Sequence, residues 1–174
     1  MKPCILSVVL ALGLVPTAFA GENLQLNPKL DYTSDSQDGP LITGERMDDG
    51  VSAGKPAYIL LYGEGCYNSK RQARRTVSLY EKYKGRVQFV IVDLDHPLSD
   101  AQHGLQKKYY RDYIPHGVVL DAAGAALYNA SGEMNETAIS RLLDKALRLP
   151  LPFPWRGLSV TIPQLRSACD THGI

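Results

Sequence analysis

The stretch Ala57-Tyr58-Ile59-Leu60-Leu61-Tyr62-Gly63-Glu64-Gly65-Cys66-Tyr67-Asn68-Ser69-Lys70 decides the fold. Its apolar and aromatic run without polar alternation predicts a strand buried on both faces. Two glycines then break the chain. From Cys66 to Lys84 the apolar residues recur at helical spacing, with Ala73, Val77, Tyr80 and Tyr83 on one stripe. Lys70, Arg71, Arg74, Arg75, Ser78, Glu81 and Lys82 read as the opposite, solvated face. Gly85 closes the helix. A strand that turns into a helix at a cysteine points the first helical amides at the sulfur. The helix dipole favours the thiolate there, and the thiolate is the nucleophile.

Downstream, Arg86 to Asp95 is dense in Val, Ile and Phe, which predicts a second buried strand, central and parallel to the first. A weaker helix starts near Ser99 and softens at Gly104. Ile114-Pro115-His116 breaks it, and Gly117 to Asp121 is the next strand. The turn Asp121-Ala122-Ala123-Gly124 leads back through Ala125 to Asn129 as an antiparallel hairpin. Asn135 is placed to cap a last helix with the stripe Ile139, Leu142, Leu143, Ala146 and Leu147. This order predicts an α/β fold of three layers, a central mixed sheet with helices on both faces.

Upstream, residues 21–54 are poor in apolar residues and rich in Asn, Asp, Ser and Gly. They read as a flexible lead-in with one short strand near Leu41-Ile42. Before them, Lys2, the apolar core Ile5 to Val15 and the ending Ala18-Phe19-Ala20 match a secretory signal peptide over residues 1–20. That core is shorter than the ~20 apolar residues of a membrane span. Export is therefore expected, periplasmic or extracellular, with membrane attachment only if the signal segment stays uncleaved. Residues 150–174 form a Pro-rich tail, in which Phe153 and Trp155 are candidates to dock on the domain.

The 174 residues carry 19 Lys and Arg against 18 Asp and Glu. Without Lys2 the two signs balance, which argues against a nucleic-acid partner held by bulk charge. There is no repeat, charge block or heptad pattern. Of 3 cysteines, Cys4 falls in the signal segment, leaving Cys66 and Cys169 in a compartment that permits disulfides.

Together the pieces resemble the thioredoxin-like superfamily, in particular its exported thiol–disulfide oxidoreductases, from about Gly54 to Leu149. Gly-Lys-Pro, the apolar strand, the cysteine at a helix start, Val92-Asp93-Leu94-Asp95, Ile114-Pro115 and the Gly-turned hairpin occur in the family's order. The resemblance maps the redox motif onto Cys66-Tyr67-Asn68-Ser69, and the cis-proline opposite the sulfur onto Pro115 after Ile114. The departures are informative. Ser69 replaces the second cysteine of dithiol members, Gly65 replaces an aromatic residue, and Leu60 stands where many members bury an acid. Without a resolving thiol, a mixed disulfide must be released by an outside thiol.

The resemblance thus implies monothiol exchange through Cys66, with Ser69 as its nearest polar support. Tyr67, Ile114 and Pro115 shape a groove for protein thiols or disulfides. The other reading is a catalytically inactive module that holds a protein partner in the same groove. Cys169 is open to several roles: displaced resolving thiol, structural bridge to Cys66, intermolecular link or exposed spare. His116 reads as a strand-start residue, and Asp93 and Asp95 as caps or solvent-facing acids. His96, His103 and His172 show no ligand spacing, so neither metal nor cofactor is expected. The triplets Asn129-Ala130-Ser131 and Asn135-Glu136-Thr137 match glycosylation acceptors and receive no role.

Overall fold

The computed structural model describes residues 20–149. The rest of the signal segment, the Pro-rich tail and Cys169 lie outside these residues. Along the chain run β1 (Glu22–Leu26), β2 (Ile42–Glu45), β3 (Ala57–Tyr62), α1 (Tyr67–Tyr83), β4 (Gln88–Asp93), α2 (Asp100–Tyr109), β5 (His116–Leu120), β6 (Ala126–Ser131) and α3 (Glu136–Arg148). Among the described residues no helix is long and apolar enough to cross a membrane.

The main sheet has the order β4-β3-β5-β6. β3 runs parallel to β4, with Ile59 opposite Val90, and antiparallel to β5, with Ile59 opposite Val118. The hairpin β5-β6 adds the last antiparallel strand. Alternate residues of β3 point to opposite sides. Tyr58, Leu60 and Tyr62 join Leu79, Tyr83, Ile139 and Leu143 in a core under α1 and α3. Ala57, Ile59 and Leu61 join Val90, Val92, Val118 and Tyr109 in a second core on the α2 side. Two buried faces explain why no polar residue interrupts β3. The sheet thus lies between α1 and α3 on one face and α2 on the other, the three layers that the order of elements predicts.

The helix ends follow their sequence signals. Ser99 caps α2 and forms a reciprocal capping box with Gln102. Asn135 accepts from Ala138 N at the start of α3. Gly104 does not soften α2, which passes through it unbroken.

Two further expectations need correction. β4 is an edge strand of the main sheet, not a central one. It is nonetheless buried because the lead-in shields it. Gln88 trades hydrogen bonds with Ser52, accepting from its amide and donating to its carbonyl, each at 2.8 Å. Gly21 lies so close to the Phe89 carbonyl that a Cβ would sit 2.1 Å from that oxygen. An uncovered edge would be open to pairing with another chain.

The second correction concerns that lead-in. Residues 21–54 contain the antiparallel pair β1-β2, and Leu24, Leu41 and Ile42 are buried in the α1-side core. Side chains from the main domain hold the segment. Tyr80 Oη accepts from Asn23 N at 2.7 Å and Tyr62 Oη from Leu41 N at 3.1 Å. These anchors lie far away in sequence, so local composition did not announce them.

Candidate functional site

Register places the site. Leu61 pairs with His116, so the residues leaving β3 lie beside those entering β5. The Ile114–Pro115 peptide is cis, and Ile114 packs on the turn after β3. A Cβ on Gly63 would fall 2.6 Å from Ile114 Cδ1. Any larger residue there would have to push the tip of the Ile114 side chain aside, so the glycine lets the proline loop lie close against the turn carrying Cys66.

Cys66 is the N-cap of α1, with φ −102° and ψ 117°. It is partly exposed and free. Its side chain makes no capping hydrogen bond, and the first amide of the helix is not aimed at it. Tyr67 N instead donates to Asp35 Oδ1 at 2.7 Å. A carboxylate from the lead-in thus caps the dipole in place of the sulfur.

Ser69 does not support the sulfur either. Its hydroxyl is buried and has no hydrogen-bond partner. Tyr67 remains at the site surface, with the Arg71 guanidinium 4.9 Å from its ring centroid. Tyr113, just before the cis peptide, is 73% exposed.

The cations near the helix start separate into different environments. Arg74 is exposed, as expected. Arg71 and Arg75 both pair with Glu133, the latter at 2.6 Å. Lys70, read as part of a solvated face, is 0% exposed. Its ammonium donates to Asp31 O at 2.7 Å and Ser36 Oγ at 2.9 Å. The stripe pattern missed this because the covering surface is the lead-in loop, not the sheet. Gln37 of the same loop stands 3.7 Å from where a Cβ of Gly65 would lie, so the loop also borders the residue before the cysteine.

A polar cluster lies on the other side of the turn. Glu64 is buried and bonds His96 Nε2 through Oε1 at 2.7 Å. Asp95 Oδ2 accepts from Glu64 N at 2.7 Å, and Asp93 Oδ1 from Asp95 N at 3.1 Å. Asp93 is not a solvent-facing acid. Burial, reinforced by the charge of Glu64, pushes its carboxyl up to about 6. Burial and the neighbouring Asp93 also push the Tyr62 phenol above its ordinary range. Sequence reading missed Glu64 and His96; a glutamate inside an otherwise apolar and Gly turn was the only signal.

His116 is the structural histidine expected at a strand start. Buried in β5, it contacts Ser131 Oγ at 2.8 Å through Nδ1 and Asn129 Oδ1 at 2.6 Å through Nε2. Leu60, where the resemblance would place a buried acid, is fully buried in the apolar core.

No protein-family model matches the chain, and no curated protein does. Solved structures do show likeness. Thioredoxin-2, a component of the malaria parasite's protein secretion machinery, shares 18% identity at TM-score 0.45, covering 52% of this chain and 82% of that one. StoA from Bacillus subtilis shares 17% identity at TM-score 0.45, over 52% and 84% of the two chains. An uncharacterised thioredoxin-like protein from Clostridium perfringens shares 19% identity at TM-score 0.47, over 56% and 75%.

Proposed function

We propose that this chain is an exported protein that carries out thiol–disulfide exchange through Cys66 in a monothiol mode. The observation that carries this reading is the partly exposed sulfur at the N-cap of α1, on the turn that packs against the Ile114–Pro115 loop. In the forward step the Cys66 thiolate attacks one sulfur of a substrate disulfide. The old S–S bond breaks, the departing thiolate takes a proton from water, and a mixed disulfide remains. An external thiolate then attacks that bond and frees Cys66. Ser69 offers no second sulfur, so the exchange is redox-neutral and suits shuffling of protein disulfides. Tyr67, Ile114 and Pro115 line the groove in which a partner strand would lie.

The test is trapping. Full-length protein with Cys4→Ser and Cys169→Ser is incubated with an excess of oxidised glutathione and read by intact mass. One adduct, reversed by reduced glutathione and absent in Cys66→Ser, is the expected result. No adduct with Cys66 free removes the exchange reading.

A second reading has its own support. Asp35 holds the amide that would cradle the sulfur, and the Ser69 hydroxyl is buried without a partner. Both fit a module that binds a partner in the groove without chemistry. It predicts that a partner captured by the wild type is captured equally by Cys66→Ser.

A further inference from the structure

We propose that Glu64, Asp93 and His96 form a binding site for a borderline divalent cation of the zinc type. The proposal does not depend on the chemistry assigned to Cys66. One donor atom from each of the three side chains lies within 4.8 Å of the other two. Zinc bonds to carboxylate oxygen and imidazole nitrogen are about 2.0–2.2 Å long, which sets tetrahedral donors roughly 3.4 Å apart. His96 Nε2 and Glu64 Oε1, now at 2.7 Å, separate slightly while Asp93 draws in.

Three further observations point to a cation rather than a closed hydrogen-bond cluster. Asp93 Oδ2 is buried and makes no hydrogen bond of ordinary geometry, although the Tyr62 hydroxyl lies close enough to act on this carboxyl, which leaves an acceptor that a cation can satisfy. Glu64 and Asp93 set two carboxylates side by side with one half-exposed imidazole between them and solvent. A dication offsets both charges at once. Finally, Asp93 and His96 line a cavity of about 280 Å³, together with Tyr62, Met47 and Gln102. That space admits water to complete the coordination sphere, as in zinc sites with three protein ligands.

The surroundings hold the ligands in place. Asp95 accepts from the Glu64 amide and its own amide donates to Asp93, so one residue fixes the Glu64 backbone and orients the Asp93 carboxylate. The imidazole selects against calcium and magnesium, which prefer all-oxygen shells. Cys66 is not among the donors, so the site does not require the thiol.

Full-length protein with Cys4→Ser, Cys66→Ser and Cys169→Ser, dialysed against chelator, is titrated with zinc chloride by calorimetry. One equivalent should bind. His96→Gln and Glu64→Gln, each made in that background, should weaken binding tenfold or more. His96 is half exposed and Glu64→Gln is isosteric, so circular dichroism matching the parent shows that both remain folded. Cobalt(II) should give visible ligand-field bands, without the sulfur charge-transfer band, and lose them in His96→Gln. No binding in the thiol-free protein, or binding that survives both substitutions unchanged, overturns the proposal.

Discussion

Residues 21–54 and residues 55–149 are held to the same sheet by different means. The later segment is secured by apolar stripes that repeat along its own strands and helices, so each element announces its buried side. The earlier segment contributes few apolar anchors, mainly Leu24, Leu41 and Ile42. Polar clasps from elsewhere add to these: Lys70 on Asp31 and Ser36, Tyr80 on Asn23, and Gln88 on Ser52. The difference shows how a stretch with the composition of a linker becomes part of a core. Its hydrogen-bond partners are supplied by another segment and desolvated only when both are in place.

The sharpest way to break this comparison is to make the same deletion in both segments. Leu60→Ala should destabilise the protein by about 2–5 kcal/mol in urea unfolding, the cost of a cavity in a packed core. Leu24→Ala should fall at the low end of that range and share one transition with it. A separate early transition for Leu24→Ala would mean that the lead-in unfolds independently.

Next in size is the clasp itself. Lys70→Met keeps the apolar stem but leaves the Asp31 carbonyl and Ser36 hydroxyl without their donor. It should cost about 1–3 kcal/mol and speed proteolytic cleavage within residues 28–39. A Met variant as stable as the parent would show that the buried ammonium is carried at no net gain, as some buried charges are.

A smaller effect sharpens the link between the lead-in and the thiol. Asp35→Asn retains a capping oxygen for Tyr67 N but removes a negative charge beside Cys66. Alkylation of Cys66 by iodoacetamide at neutral pH should then quicken by about two- to fivefold, the size of a single charge effect at a helix end. An unchanged rate would separate the Asp35 cap from the reactivity of the sulfur.

The smallest is a pH effect. Hydrogen bonds from the Thr33 and Ser34 side chains and the Thr33 amide lower the Asp31 carboxyl from 3.8 to about 2. A depressed acid contributes stability that is present above its unfolded value and lost as pH falls through the folded one. Asp31→Asn should therefore flatten the decline of Tm between about pH 4 and pH 2, leaving the profile above pH 5 parallel to the parent. A decline of the same steepness in the variant would remove Asp31 from the acid response.

The comparison also explains what was legible beforehand. β3, α1, β5, β6 and α3 were readable because their evidence is local, in unbroken apolar runs, a 3.6-residue stripe, a Gly-turned hairpin and an Asn cap. Cys66 was readable for the same reason, whereas the Ile114-Pro115 pair was legible only through the resemblance. The burial of Lys70 was not, since its partners lie up to 39 positions away. Glu64 and His96 are 32 apart, and no spacing rule joins a turn after one strand to the loop after the next. The edge position of β4 was also hidden, because an edge shielded by a lead-in is as apolar as a central strand.

By itself, then, the chain's order of residues determined the layers and placed a cysteine at the head of a helix, since both follow from periodicity and backbone stereochemistry within short windows. Only the tertiary structure decided which groups surround that cysteine. It put Asp35 on the amide that was expected to face sulfur, closed Lys70 under a loop, and gathered Glu64, Asp93 and His96 into one cluster. The physical reason is that burial and electrostatics depend on distance through space, and the fold brings together charges that the chain keeps far apart.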